Sequence, residues 1–466
     1  MDKQYDTIVV GSGPAGIFAA WELARNCSQR VLLLDKGSDL SDRCCPSSHR
    51  QSQCRRCDPC DLICGWGGAG AFSDGKLTLT PAFGGFLEDY VGEESIKELI
   101  DYVDGVYLAQ GAPPEVYGGD EESVKDLQKK AATADLNFIP AQIRHLGTEN
   151  CYQVLSHLRR ELEKGVDIKT GEEVRGITTQ PHEGGARVTG VVTSRGEHYQ
   201  SSYVVMAPGR SGASWTLEEA KRLGLSGMNN PVDIGLRIEV PAVIMEHITS
   251  KVYESKLIYY SPSFDDRVRT FCMNPYGEVV TENNQGLITV NGHSYAHSKT
   301  ENTNFALLVS KTFTEPFKEP ISYGRNIASL ANMLGEGALI QRLGDLMVGR
   351  RSTEERIKRG LVKPTLPKAT PGDLSLVMPY RHLLSIREMM EALDEVAPGI
   401  NSRHTLLYGV EVKFYSYRLE LSSQLETQVQ NLFAIGDGAG ITRGLIQASA
   451  SGVLAGREIA RRSEKD

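Results

Sequence analysis

The run Gly11-Ser12-Gly13-Pro14-Ala15-Gly16 restricts the fold more than any other stretch, because of what flanks it. Tyr5–Val10 is short, apolar and rich in β-branched residues, which suits a buried parallel strand. Ile17–Asn26 has a helical pattern, and a second apolar run, Arg30–Leu34, ends at Asp35. Strand, glycine turn, helix and strand in this order form a βαβ unit of the kind that binds a dinucleotide. Gly11 permits the tight turn, Gly13 lets main chain approach a pyrophosphate, and Gly16 lets the helix lie close to the strands. The helix N-terminus turns unpaired amides and a positive dipole end toward that pyrophosphate, and Pro14 and Ala15 stand with the glycines as cofactor-binding candidates. Asp35, 19 residues beyond Gly16 and followed by Lys36, is placed to accept a ribose hydroxyl.

The length, 466 residues, allows one large core or two to three domains, and 40% apolar with 24% charged residues is an ordinary enzyme's balance. No apolar run approaches the roughly 20 residues of a membrane-spanning helix. No cleavable signal is read ahead of the first strand, so a cytosolic protein is expected. A net charge of −8 weighs against a nucleic-acid partner. Cysteine usage is less ordinary. Of nine cysteines, Cys44, Cys45, Cys54, Cys57, Cys60 and Cys64 crowd into one loop. In a cytosolic enzyme such density points to a metal site or redox chemistry.

After Asp35 come the cysteine-rich loop, residues 40–64, and a glycine loop from Gly65 to Leu77. Helical spacing is expected over Ile96–Leu108, Glu121–Thr133 and Cys151–Lys164. Short strands are expected at Ile168–Thr170, Arg187–Thr193 and Tyr203–Met206, the last running into Ala207-Pro208-Gly209. Between Gly235 and Gly409 the pattern mixes strands (Ile234–Val240, Leu287–Val290) with helices (Asn304–Thr314, Tyr323–Leu334, Leu384–Val396). Lys363–Gly372 reads as an ordered, proline-bearing loop. Asn431–Ile435 is a short buried strand, Gly436-Asp437-Gly438-Ala439-Gly440 follows, and Ile446–Arg462 is a final helix lined with small residues.

GSGPAG with its distant Asp, APG in the middle and AIGDGAG near the end stand in an order that resembles flavoproteins with a glutathione-reductase-type FAD domain. More narrowly, GWGGAGAFSDGKL, DIGLRIEVP, RTFCMNPYGEVV, YGVEVKFYSYR and AIGDGAGITRGLIQASASG resemble a family of FAD-dependent dehydrogenases. The resemblance implies an α/β fold in which a Rossmann FAD domain is discontinuous over residues 1–85, 166–234 and 409–466. A mostly helical segment, 86–165, and an α+β substrate domain, 235–408, would be inserted. It would place Gly11, Gly13 and Gly16 on the FAD pyrophosphate, Asp35 on the ribose and Val174 near adenine. Ala207 and Gly209 would close the nucleotide side, and Asp437, between Gly436 and Gly438, would meet the ribityl–pyrophosphate region. The loop carrying Gly68, Gly70, Ala71 and Ser73 would lie beside the flavin. The strand ending in Gly-Asp-Gly before a helix suits the negative charge of a reduced flavin's pyrimidine edge. No second GxGxxG follows a strand, so no dedicated NAD(P)H domain is expected, and electrons enter from NAD(P)H docking directly, the substrate or a protein donor such as ferredoxin.

Cys54, Cys57, Cys60 and Cys64 have C-x2-C-x2-C-x3-C spacing, that of a ferredoxin run without its final proline. The resemblance favours Cys45, Cys54, Cys57 and Cys60 as ligands, with Cys44 and Cys64 as alternates. A [4Fe–4S] cluster relaying electrons to FAD, a structural zinc ion and a redox dithiol of Cys60 and Cys64 all fit this spacing, as do free thiols. For the proton or charge that flavin chemistry requires, the candidates are Lys76, Glu411, His293 at an expected turn, and Arg443, which could grip an anionic substrate. Cys272 reads as a small buried residue. The expected activity is oxidation or reduction of a small organic molecule. The alternatives are a ferredoxin- or NAD(P)H-fed reductase of carbon–carbon double bonds, resembling geranylgeranyl reductases, and a non-catalytic redox sensor or RNA-modification accessory.

Overall fold

A computed structural model describes residues 3–45, 57–284, 286–294, 298–313, 316–317, 319–335 and 337–464. It divides into two compact units, one of residues 1–115, 144–230 and 415–466, the other of 116–143 and 231–414. The span 86–165, expected as one helical segment, contributes to both.

In the first unit a parallel core runs in the order Val166–Lys169, Val31–Leu34, Gln4–Val10, His198–Met206, and Leu432–Ala434 also pairs with the last of these. Strands from both ends of the chain therefore flank the same central strand, His198–Met206. Gly185–Thr193 and Val174–His182 extend the sheet as an antiparallel hairpin. The parallel strands read as unbroken apolar runs because helices cover both their faces. The first helix, Pro14–Asn26, packs on the last, Leu445–Ser463. Contact is close because Gly452 and Gly456 have no side chain. A Cβ on Gly452 would stand 2.1 Å from the Ala15 carbonyl oxygen, and one on Gly456 2.8 Å from that of Ala19.

The second unit is built on an eight-stranded sheet, ordered Thr370–Pro371, Leu339–Arg342, Leu406–Lys413, Val232–Pro241, Asn302–Lys311, Arg267–Asn274, Lys256–Tyr260, Asn137–Ile139. All its pairings are antiparallel except that of the first two strands. Ile234, Leu236, Ile238 and Val240 face an apolar core with the helices Pro320–Gly335 and Tyr380–Val396. Alternate residues Asp233, Arg237 and Glu239 are also buried, on the opposite face. Asn304–Thr314, expected as helix, is corrected here. Asn302–Lys311 is a strand between two others, and a run buried on both faces has no period-two signature to separate it from a helix. The proline-bearing loop is ordered as expected: Thr365 donates its amide and hydroxyl to Glu239, and Lys363 O accepts from Asn302 Nδ2 at 2.7 Å.

Candidate functional site

Four turns of the first unit converge where its parallel strands end. Gly11, at φ +107°, packs so tightly that a Cβ would stand 2.2 Å from the Ala207 carbonyl oxygen. Gly209 and Gly436 follow neighbouring strands with nearly the same main-chain angles, φ/ψ 61°/−168° and 71°/−168°. A Cβ on Gly436 would lie 2.8 Å from the Ala15 Cβ, and one on Gly438 2.9 Å from the Gly209 amide nitrogen. Gly68, Gly70 and Ala71 form a single 3-10 turn over the first helix. A Cβ on Gly68 would be 3.1 Å from the Gly13 Cα, and one on Gly70 2.9 Å from Leu445 Cδ2. The expected residues Gly11, Gly13, Pro14, Ala15, Gly16, Gly68, Gly70, Ala207, Gly209, Gly436 and Gly438 are thus brought together.

This arrangement fits a bound dinucleotide. The first helix begins at Gly13 without a side-chain cap, so its leading amides are available to an anion. Gly13 and Gly209 border open space: a Cβ on Gly209 would meet nothing within 4 Å, and one on Gly13 only the Gly68 Cα at 4.0 Å. Ser73 caps its own turn, its hydroxyl donating to Gly70 O at 2.9 Å, and Val174 is buried in the core. Asp437 Oδ1 accepts from the Thr442 hydroxyl at 2.9 Å, and Oδ2 lies 3.5 Å from Arg210. Burial pushes the Asp437 carboxyl above its ordinary range against the pull of Arg210.

Asp35 is placed as expected but differently engaged. Its Oδ2 accepts from the Ser12 amide at 2.7 Å and hydroxyl at 2.8 Å, and its Oδ1 from the amides of Gly37 at 2.8 Å and Gly65 at 2.9 Å. These bonds occupy a carboxylate's four acceptor positions. Asp35 therefore ties the glycine turn to the loop after the cysteines, and a ribose hydroxyl would have to replace the Ser12 hydroxyl. Arg43, which the sequence did not single out, completes this tie. It is 5% exposed and donates to Asp61 O at 2.8 Å, Trp66 O at 2.5 Å and Gly68 O at 2.9 Å. Burial pulls its guanidinium down to about 10, against the nearby Asp35. Trp66, fully buried, donates to Leu155 O at 2.9 Å.

Lys76 sits 3.1 Å from Asp74. The loop from Ser73 to Gly75 is held by a second segment, with Leu146 N on Gly75 O and Gly147 N on Asp74 O, both at 3.0 Å. That segment brings His145 beside the pair, a neighbour the sequence reading missed. Burial lowers the His145 imidazole, Asp74 opposes this and Lys76 reinforces it. Cys151 lies against Gly75, and burial pushes its thiol up to about 12. Arg443 stacks on the Tyr415 ring at 3.6 Å, with Phe86 at 5.0 Å.

Two catalytic candidates belong to the second unit and need correction. Glu411, expected on the face opposite Val410 and Val412 and so toward the site or water, is fully buried. It accepts from Arg237 at 2.7 and 2.8 Å and lies 3.1 Å from Lys413. Burial alone would raise its carboxyl, but Arg237 and Lys413 outweigh it and hold it below the ordinary range. A carboxylate so paired is structural, not a proton carrier. His293 ends the strand Leu287–His293, opposite Glu278, and is not at a turn. Cys272 is only half-buried, at φ +45° in an irregular part of its strand.

The expected metal set is only partly described. Cys54 lies outside the described residues; Cys45, Cys57 and Cys60 are described, and among the described residues no group of three or more His, Cys, Asp or Glu could hold a metal ion. Cys44 is exposed and Cys64 buried. Cys64 N bonds to Cys60 O at 2.9 Å, within one turn of chain. Burial raises the Cys64 thiol, with Lys36 opposing, which is the reverse of what an attacking thiolate needs.

A βαβ turn, an uncapped helix and glycine turns from distant strands define a dinucleotide-binding flavoprotein. Family models agree: residues 9–60 match "NAD(P)-binding Rossmann-like domain", 231–414 match "FAD-dependent protein, C-terminal domain-like", and 374–466 match "Glucose inhibited division protein A". These matches support an FAD-dependent oxidoreductase. An uncharacterized protein of Clostridium beijerinckii is 28% identical over 477 positions, spanning 97% of this chain and 80% of that protein. Among solved structures, a 3-ketosteroid-Δ4-(5α)-dehydrogenase of Rhodococcus jostii RHA1 is similar at 15% identity and a TM-score of 0.45, covering 98% of this chain and 97% of that one. The FrdA chain of E. coli quinol fumarate reductase is similar at 14% identity and a TM-score of 0.43, covering 99% and 70%. Among the described residues no helix is long and apolar enough to cross a membrane.

Proposed function

We propose that the protein oxidises or reduces a small organic molecule beside the flavin, with Asp74, Lys76 and His145 managing the proton. The observation that carries this reading is the convergence of the Gly11, Gly209 and Gly436 turns on the uncapped start of the first helix. FAD, when bound, supplies hydride transfer. Gly11, Gly13 and Gly16 hold its pyrophosphate, and the main chain at Gly209 and Gly436–Gly438 lines the rest of the cradle. The loop at Gly68–Phe72, fixed by Arg43 and Asp35, excludes water from one side. The segment leaving that loop bears Lys76 and faces His145. An imidazole that burial keeps neutral is suited to take a proton at a ring nitrogen, and the Lys76 ammonium to steady negative charge. The electron donor, ferredoxin or NAD(P)H, belongs to the same proposal.

Purified protein should carry about one FAD per chain, and reduced flavin should reoxidise with a true substrate. His145→Ala should slow that step and flatten its pH dependence while FAD content stays constant. Protein that is colourless and refuses added FAD would sink the reading. The finer idea, a cysteine-held cluster feeding the flavin, is supported by the cysteine spacing alone. Iron, acid-labile sulfide and zinc measured together on anaerobic protein decide it.

A further inference from the structure

In the second unit, two successive turns set exposed aliphatic side chains among cations. The first turn follows the short helix Leu343–Leu346: Met347 and Val348 are 43% and 63% exposed, and Arg350 and Arg351 come next. The second follows Glu354–Lys358: Lys358 and Arg359 precede Leu361, which is 76% exposed, and Lys363 comes after it. Side-chain bonds tie both turns to the strand Leu339–Arg342. Gln341 Nε2 donates to Arg350 O at 2.8 Å, Arg342 Nη1 to Arg356 O at 3.1 Å, and Arg356 Nη1 in turn to Arg351 O at 2.8 Å. A third apolar side chain joins the first turn. Gln341 also accepts from Leu374 N at 2.8 Å, and Ser352 N donates to Gly372 O at 2.9 Å, so residues 350–352 run antiparallel to 372–374. The Met347–Val348 turn and Leu376, 67% exposed, therefore lie at the same end of that pair. Arg403, also exposed, packs on the first short helix, its carbonyl oxygen accepting from Gly344 N at 3.1 Å.

Six of the fourteen residues from Arg350 to Lys363 are arginine or lysine and two are acidic, in a chain whose net charge is −8. Asp345 pairs with Arg350 at 2.8 Å and Glu354 with Lys358 at 3.3 Å, whereas Arg351, Lys363 and Arg403 form no ion pair with a described residue. Cations gathered against the sign of the whole chain call for an anionic partner, and exposed aliphatic tips beside them call for an apolar one. A bilayer with anionic headgroups offers both, a phosphate layer directly over acyl chains. Single-stranded nucleic acid would use the cations but would want stacking rings where these turns carry aliphatic chains. An acidic protein would want a continuous apolar centre, and here the apolar side chains stand on separate turns with cations between them. We propose that this surface docks the protein on an anionic lipid bilayer. Val348, Leu361 and Leu376 enter the acyl boundary, and Arg351, Lys363 and Arg403 lie at the headgroup phosphates. Such contact is peripheral and reversible, and it needs no spanning helix. The inference goes beyond the flavin reading and does not rest on it.

The experiment is flotation of the purified full chain with vesicles of phosphatidylcholine alone and of phosphatidylcholine with about 30 mol% phosphatidylglycerol. The anionic vesicles should bind it at least about tenfold more tightly than the neutral ones, and raising salt from about 50 to about 500 mM should remove most of that preference. Arg351→Gln combined with Arg403→Gln should weaken binding to the anionic vesicles at least about tenfold. Val348→Ser combined with Leu361→Ser should do the same at unchanged charge, with thermal unfolding and FAD content as in the wild type, because both side chains are exposed. Equal binding to the two vesicles, no binding to either, or wild-type binding by either double variant would overturn the proposal. Tighter binding of poly(U) or of polyglutamate than of anionic vesicles, at equal concentration of charge, would overturn it in favour of a nucleic acid or an acidic protein. The lipid and salt dependence of the wild type decides the matter even where a variant fails to fold.

Discussion

Alternation with Val410 and Val412 gives Glu411 a face of its own, but the strand is buried on both faces and that face holds Arg237. Glu411→Gln leaves a fully buried guanidinium without its counter-charge, which costs about 3–5 kcal/mol. Urea unfolding should show this loss, where a proton carrier would instead move the pH profile of a stable enzyme. His382 gives a second expectation. It is 2% exposed with neither ring nitrogen bonded; burial lowers its imidazole to about 4, Lys311 and Arg381 adding to this and Asp266 opposing. The folded chain keeps the ring neutral, whereas the unfolded chain protonates below its ordinary value near 6.5. Stability is therefore complete above about pH 6.5 and falls between there and about pH 4, by an amount of order 3 kcal/mol. His382→Leu should remove that part of the pH dependence in denaturant titrations. The residues the sequence concealed, Arg43 and His145, meet partners tens of positions away, and no local spacing marks them.

The first and last helices show what small residues do for an element. Alanine at Gly452 would press a methyl group to within 2.1 Å of the Ala15 carbonyl oxygen. The overpacking costs about 1–3 kcal/mol, more than the up to ~1 kcal/mol that alanine offers a helix. Thermal unfolding of Gly452→Ala should shift downward and its FAD should be held less tightly. Gly105, also helical but exposed with nothing within 4 Å of a Cβ, makes the contrast: Gly105→Ala should stabilise by about 0.5–1 kcal/mol. Helices were legible wherever one face meets water, as in Glu121–Thr133, found with the expected bounds. Asn302–Lys311 was not, because full burial erases the periodicity that separates strand from helix.

At the scale of the molecule, all three tryptophans, Trp21, Trp66 and Trp215, belong to the unit that carries the nucleotide cradle. Tryptophan fluorescence therefore reports that unit's unfolding. Adding FAD to flavin-stripped protein at a hundred times its Kd should stabilise the tryptophan-detected transition by about 2.7 kcal/mol. A transition that ignores FAD would contradict the assignment of the cradle to this unit.

The glycines at 11, 13 and 16, with the strand before them and the acid after, were enough to establish a dinucleotide-binding turn, since main chain can reach a pyrophosphate only where side chains are missing. Composition and local pattern likewise identified most helices and the buried strands at both ends of the chain. What Asp35 and Glu411 bond to arose only when residues from tens to well over a hundred positions apart came into contact. Hydrogen bonding is a matter of distance and angle in space, and a linear order of residues carries neither.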